Sequence, residues 1–254
     1  MQYVGLQIIF ALKKLYPEPA VLHEPVFEGN EWDYVKQCLD TGWVSTSGSF
    51  VESFENRLAE FTGIPYVVAT VNGTAALHMC LELIDLKRDE EVLSPTLSFV
   101  ATANAIRYSG GIPHFVDSEE RTLGVHPEKL RSYLRAETKL HSGRCWNKRT
   151  GRPISALIVV HIFGCPVDLD PIMEICKEFK LVLIEDAAES LGSYYKSQHT
   201  GNKGILSAMS FNGNKVITAG GGGAILTHDP ELARLAKHLT TTAKTSHPWG
   251  YFHD

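Results

Sequence analysis

Ser210-Phe211-Asn212-Gly213-Asn214-Lys215, continuing through Val216-Ile217-Thr218-Ala219 into Gly220-Gly221-Gly222-Gly223, is the stretch on which the fold turns. Ser207 to Phe211 before it and Gly223 to Thr227 at its end have strand composition, with no room for a helix between them. A lysine beside glycines is most often a solvated turn residue. The alternative is a Schiff-base lysine, whose amine loses a proton and attacks a carbonyl carbon. The glycines follow the lysine and lead into the strand Ala224-Ile225-Leu226-Thr227. A dinucleotide-binding GxGxxG needs a strand before it and a helix after it, so a nicotinamide oxidoreductase fails on context. A tight backbone passage beside a bulky ligand suits the glycines better.

Upstream, strands and helices alternate. Tyr66 to Val71, Glu91 to Ser94, Ile112 to Val116, Ile154 to Val160 and Leu181 to Ile184 read as strands. Ala75 to Ile84, Phe99 to Tyr108, Pro127 to Leu134 and Leu169 to Phe179 read as helices between them, and Pro230 to Leu239 as the last helix. This succession predicts an α/β fold, a three-layer sandwich with a mostly parallel, mixed sheet covered on both faces. Before it, Asn30 is placed to cap a helix from Glu31 to about Asp40 with Trp32, Val35 and Leu39 on one face. Phe50 to Phe61 reads as a second amphipathic helix with Phe54, Leu58 and Phe61 in register. Residues 1–29 read as an N-terminal arm, and residues 137–152, basic and glycine-containing, as a surface loop.

The chain has 254 residues, 44% hydrophobic and 21% charged, with a net charge of -5. Mixed signs without a basic patch argue against nucleic acid. Apolar runs such as Ile154 to Val160 are far too short to span a bilayer. The five cysteines are scattered and form no CxxC, which reads as free thiols in a reducing cytoplasm. His161 and Cys165 stand four apart without a second ligand pair, and a closed zinc site needs four ligands. No metal is expected.

In open parallel sheets ligands sit at the carboxyl ends of strands, and three polar groups fall there. At Val71-Asn72-Gly73-Thr74, either Asn72 or Thr74 simply caps a helix, or the first-turn amides and the Thr74 hydroxyl cradle a phosphate. At Ile184-Glu185-Asp186-Ala187-Ala188-Glu189, the acids are either loop caps or partners for a ring nitrogen, a metal or a ribose. Ser210 and Lys215 together offer a hydroxyl to a phosphate and an amine to an aldehyde. Phosphate cradle, strand-end aspartate and lysine, in that order, compose a pyridoxal phosphate site.

With these residues in hand, the chain resembles the DegT/StrS-type sugar aminotransferases, a branch of the fold-type I pyridoxal phosphate enzymes. The resemblance rests on Gly42-Trp43-Val44-Ser45-Thr46-Ser47-Gly48, Asn72-Gly73-Thr74-Ala75-Ala76-Leu77-His78 and Pro95 to Ala105. It continues through Val160-His161-Ile162-Phe163-Gly164, Glu185-Asp186-Ala187-Ala188-Glu189-Ser190-Leu191-Gly192 and the Ser210 to Lys215 stretch.

The resemblance implies that Lys215 is the Schiff-base lysine and Asp186 the partner of the ring nitrogen. It implies that Gly73, Thr74 and Ser210 hold the phosphate and that Phe99 lies against the pyridine ring. Glu189 falls where the family places a glutamine-like contact to the ring oxygen, a departure in charge. Lysine rather than histidine at 215 implies transamination rather than sugar dehydration. The implied reaction moves an amino group from glutamate to the 4-keto carbon of a UDP- or GDP-linked 4-keto-6-deoxy sugar, in a cytoplasmic homodimer, with Trp43 to Gly48 near the sugar nucleotide. The stretch Ser142 to Arg152 resembles the subgroup acting on N-acetyl sugars. Residues 30–254 are expected to form the cofactor-binding large domain. Family members continue past the point where this chain stops, so the C-terminal small domain is expected to be missing. A non-catalytic remnant that still binds the cofactor is therefore the second expectation, with exposed apolar surface where that domain would pack.

Overall fold

The computed structural model describes residues 2–15, 23–245 and 252–253. Three helices come first: α1 (Gln2–Leu15), α2 (Glu31–Thr41) and α3 (Ser49–Thr62). The alternating part runs β1 (Tyr66–Thr70), α4 (Gly73–Leu83), β2 (Glu91–Pro95), α5 (Val100–Tyr108), β3 (Ile112–Val116) and α6 (Pro127–Glu137). It continues with β4 (Thr138–His141), β5 (Arg144–Asn147), β6 (Pro153–Val160), α7 (Leu169–Phe179) and β7 (Val182–Asp186). A small hairpin, β8 (Tyr194–Tyr195) with β9 (Gln198–His199), precedes β10 (Leu206–Ser210), β11 (Gly223–Thr227) and α8 (Pro230–Thr240). β12 (Lys244–Thr245) and β13 (Phe252–His253) pair with each other.

The main sheet has the order β1-β11-β10-β7-β6-β2-β3. β10, β7, β6, β2 and β3 are mutually parallel, and β11 runs antiparallel to both its neighbours. The reason lies in the opening stretch. A parallel return needs a crossover of a dozen or more residues, usually through a helix. Residues 211–222 stay in a loop closed by the Phe211 N–H bond to the Gly222 carbonyl at 2.9 Å, so the chain turns back on itself.

Both faces of the sheet are covered, and side chains alternate between two cores as strand periodicity dictates. Ala156 and Ile158 of β6 and Ile184 of β7 pack beneath α4 and α5 with Leu77, Leu81 and Ile106. Leu157 and Val159 of β6 and Leu183 of β7 pack on the other side with Leu130 of α6 and Ile172 of α7. Under α3 that second layer continues through Leu58, Val67 and Met209, where Phe54 meets Phe211 edge-on at 5.0 Å.

Three expectations change. Residues 137–152 are not a loop: β4 and β5 form a hairpin whose second strand pairs antiparallel with the start of β6. Two turn glycines, Gly143 and Gly151, masked strands whose side chains are partly buried by the sheet edge. Asn30 makes no side-chain cap to α2. Phe61, expected in register with Phe54 and Leu58, is exposed and packs edge-on against His199. Within the expected arm, Gln2–Leu15 is helical, whereas Tyr16 to Pro19 lies outside the described residues. The apolar face of α2 is exposed, with Trp32 at 75%, Val35 at 53% and Leu39 at 66%. No described helix is long and apolar enough to cross a membrane.

Candidate active site

The carboxyl ends of β1, β6, β7 and β10 meet at a cavity of about 480 Å³ that takes in Gly73, Thr74, Phe99, Asp186, Glu189, Ser210 and Lys215. All seven residues predicted from the sequence are thus brought to one place.

The β1–α4 turn forms the first wall. Asn72 is extended and its side-chain oxygen accepts from the Ala75 amide at 2.8 Å, so Asn72 is the cap and Thr74 is left facing the cavity. Gly73 sits against β10: a Cβ there would lie 2.8 Å from Ser210 Cβ and 3.2 Å from its hydroxyl. Gly223 closes on the same turn, where a Cβ would stand 2.4 Å from the Asn72 carbonyl carbon. Within the glycine run, Gly223 therefore makes a tight passage against the protein's own backbone. Gly220 serves the loop by adopting a positive φ of 78°.

The two acids of β7 point to opposite sides. Glu185 is fully buried, bonds His161 Nε2 at 2.8 Å and accepts the amides of Gly201, Lys203 and Gly204. Burial alone would raise its carboxyl, but His161 and those amides outweigh it and hold it below the usual range. His161 Nδ1 accepts from the Val167 amide at 3.2 Å, so both ring nitrogens are engaged in hydrogen bonds within the protein. Glu185 thus ties the segment after β6 to the turn before β10.

Asp186 faces the cavity end of the opposite core. It is 4% exposed; Oδ2 accepts from the Thr102 hydroxyl at 2.7 Å and Oδ1 from the Ala188 amide at 3.2 Å. No cation hydrogen-bonds to it among the described residues. Burial pushes its carboxyl upward, against those two bonds and the more distant His161 and Lys215 charges. Thr102 lies within the Pro95 to Ala105 stretch that carries the resemblance, but no local pattern marks it as the partner of Asp186.

Lys215 enters from the β10–β11 loop. Its Nζ lies 3.1 Å from Glu189 Oε1 and 5.9 Å from the centre of the Phe99 ring. The other Glu189 oxygen accepts the Phe163 amide at 3.0 Å. Phe163 has a positive φ of 52°, a strained conformation for a bulky residue, and is 81% exposed at the cavity mouth.

The sequence profile of the DegT/DnrJ/EryC1/StrS aminotransferase family matches residues 26–253. The chain belongs to that family. It is 36% identical over 233 residues to the GDP-perosamine synthase of Escherichia coli O157:H7, covering 92% of this chain and 59% of that one. It is 38% identical over 209 residues to the GDP-perosamine synthase of Caulobacter vibrioides, covering 82% and 52%. The crystal structure of a DegT DnrJ EryC1 StrS aminotransferase from Brucella abortus superposes with a TM-score of 0.79 at 28% identity, over 88% of this chain and 58% of that one. The chain thus spans little more than half the length of the relatives it matches.

Pyridoxal phosphate is the cofactor the family implies, and the residues here fit it. The Asp186 carboxyl is buried and, among the described residues, hydrogen-bonded by no cation, which suits a protonated ring nitrogen. Gly73 and Thr74 at the start of α4 and Ser210 at the end of β10 line the same cavity, and first-turn amides with two hydroxyls suit an anion. A shielded amine, Lys215, lines the same cavity with only 13% of its side chain exposed.

Proposed function

We propose that this chain binds pyridoxal phosphate at Lys215 and supports transfer of an amino group from glutamate to the 4-keto carbon of a nucleotide-linked 4-keto-6-deoxy sugar. The observation that carries this reading is the buried carboxyl of Asp186, hydrogen-bonded by no cation among the described residues and opening onto the same cavity as Lys215. When bound, the cofactor supplies an electron sink for the carbanion of the donor. Asp186 keeps a proton on the ring nitrogen, because a carboxylate in a dry site strongly favours a charged partner. Gly73, Thr74 and Ser210 hold the phosphate at the start of α4, and Phe99 covers a ring face. Lys215 offers its amine to the cofactor and, within reach of Glu189, holds the proton that must move between donor carbon and cofactor.

The names of the two GDP-perosamine synthases support a GDP-linked sugar. The N-acetyl subgroup finds no support in the hairpin Ser142 to Arg152. Ile154, which pairs with β5, and Val160 at the cavity are six residues apart on β6, about 20 Å in an extended strand. We further propose a homodimer, supported by the exposed apolar surface on α1 and α2. A cytoplasmic setting is supported by five free cysteines.

The test is the visible spectrum of the purified chain mixed with pyridoxal phosphate, beside Lys215→Ala. The expected result is a band shifted from that of the free cofactor, absent in the variant and bleached by glutamate. Adding a GDP-linked 4-keto-6-deoxyhexose should then restore it. A band indifferent to glutamate would favour the cofactor-holding remnant. No band in a protein shown to be folded by circular dichroism would overturn the reading.

A further inference from the structure

A chain of hydroxyls leads from the cavity mouth to the buried carboxylate. Half-buried Ser98, just before the helix α5, has its hydroxyl 2.9 Å from Thr102 Oγ1. The Thr102 hydroxyl, fully buried in the first turn of α5, donates onward to Asp186 Oδ2 at 2.7 Å. Between the two lies Phe99, whose carbonyl accepts the Thr102 amide at 3.2 Å, so one helical turn carries both the relay and the aromatic wall. We infer that Ser98 and Thr102 are positioning residues for the cofactor's ring nitrogen: their hydroxyls keep Asp186 a carboxylate acceptor, so that the shared proton stays on the ring.

The chemistry follows from what else surrounds Asp186. Cys80 of α4 faces it as a thiol that burial keeps protonated, and so donates no charge. His161 and Lys215 favour the carboxylate only from a distance, since neither hydrogen-bonds to it. The Thr102 hydroxyl is the largest influence opposing burial, ahead of the Ala188 amide. A donor to a charged acceptor in a dry site is worth more than one in water, and Ser98 polarises that donor further. Without the relay Asp186 would lose its hydroxyl donor, and the proton shared with a bound ring nitrogen would be held less firmly on the ring.

This inference rests on pyridoxal phosphate being the cofactor. The experiment is a pH titration of the visible band in pyridoxal-phosphate-loaded protein, with Thr102→Val, Thr102→Ser and Ser98→Ala beside the parent. In Thr102→Val we expect loading weakened about tenfold, as for loss of a hydrogen bond to a charged group. We also expect the midpoint of the band to move up by about one pH unit, because a ring nitrogen without its proton withdraws less charge from the bond to Lys215. Thr102→Ser should restore both, and Ser98→Ala should move both by less, in the same direction. If Thr102→Val does not fold, the Ser98→Ala shift alone decides the matter. A lower melting temperature with an unmoved midpoint would make the relay merely structural and overturn the inference. A parent protein with no band would instead overturn the cofactor reading.

Discussion

Gly223 shows how little freedom single positions have here. A Cβ would sit 2.4 Å from both the carbonyl carbon and the oxygen of Asn72, and backbone cannot give way as a side-chain tip can. Gly223→Ala is therefore expected to destabilise the chain by about 1–3 kcal/mol in urea unfolding, the usual range for overpacking. It should also weaken pyridoxal phosphate loading, because the Asn72-Gly73 turn would shift. The Glu185–His161 pair is a second such position. Both side chains are fully buried, so Glu185→Leu leaves the imidazole without its acceptor and three amides unpaired. A loss of about 3–5 kcal/mol is expected from breaking a buried pair from one side, read by the same unfolding experiment.

At the scale of elements, the β4–β5 hairpin is held by carboxylates at the amino end of the sheet. Glu91 accepts from Asn147 at 2.9 Å and Thr150 at 2.6 Å and bonds His114 at 2.7 Å, while Glu90 takes Arg144 and Ser155. Asn147→Ala should raise amide hydrogen exchange across residues 138–150 and leave pyridoxal phosphate loading unchanged, since cavity and hairpin lie at opposite ends of β6. Helix α2 is the opposite case, an element with no buried residue. Trp32→Ser is expected to change unfolding stability by no more than about 0.5 kcal/mol, as for an isolated surface site. Sedimentation velocity of parent and variant would show whether that face joins two copies.

For the molecule as a whole, buried titratable groups set an acid limit. Glu185 is held below its ordinary 4.5, so its contribution is present above that value and disappears as pH falls through the folded one. His199 is held below its ordinary 6.5 by burial, so its contribution is likewise present above 6.5 and lost on acidification. Its Nε2 accepts the Gly192 amide at 2.8 Å, a bond that protonation removes. Asp186 has the reverse sign: raised above its ordinary 3.8, its contribution is complete below that value and is lost as pH rises through the folded one. At neutral pH Asp186 is thus a liability of the cofactor-free protein. Asp186→Asn should raise the melting temperature of cofactor-free protein at pH 7 while abolishing the further rise that pyridoxal phosphate gives the parent by mass action. A variant that melts lower than the parent would contradict this.

The alternation of apolar runs and amphipathic stretches, read from the chain alone, determined the parallel core, its helices and the ends of strands where chemistry gathers. These signals are local: strand and helix periodicities are written in neighbouring residues. Lys215, Asp186 and the Asn72-Gly73-Thr74 turn were legible for the same reason, each standing directly after a recognisable strand. Only the tertiary structure decided what lies between distant segments. It placed Thr102 against Asp186, 84 positions away, and Glu185 against His161. It docked the hairpin of residues 138–147 on the edge of β6 and on Glu90 and Glu91, partners distant from it in the sequence. It also set the meaning of the last glycine, whose constraint is the backbone of a turn 150 residues earlier, approximately the whole breadth of the alternating region. Pairings of this kind depend on which faces the packed core presents to one another, and no local pattern encodes them.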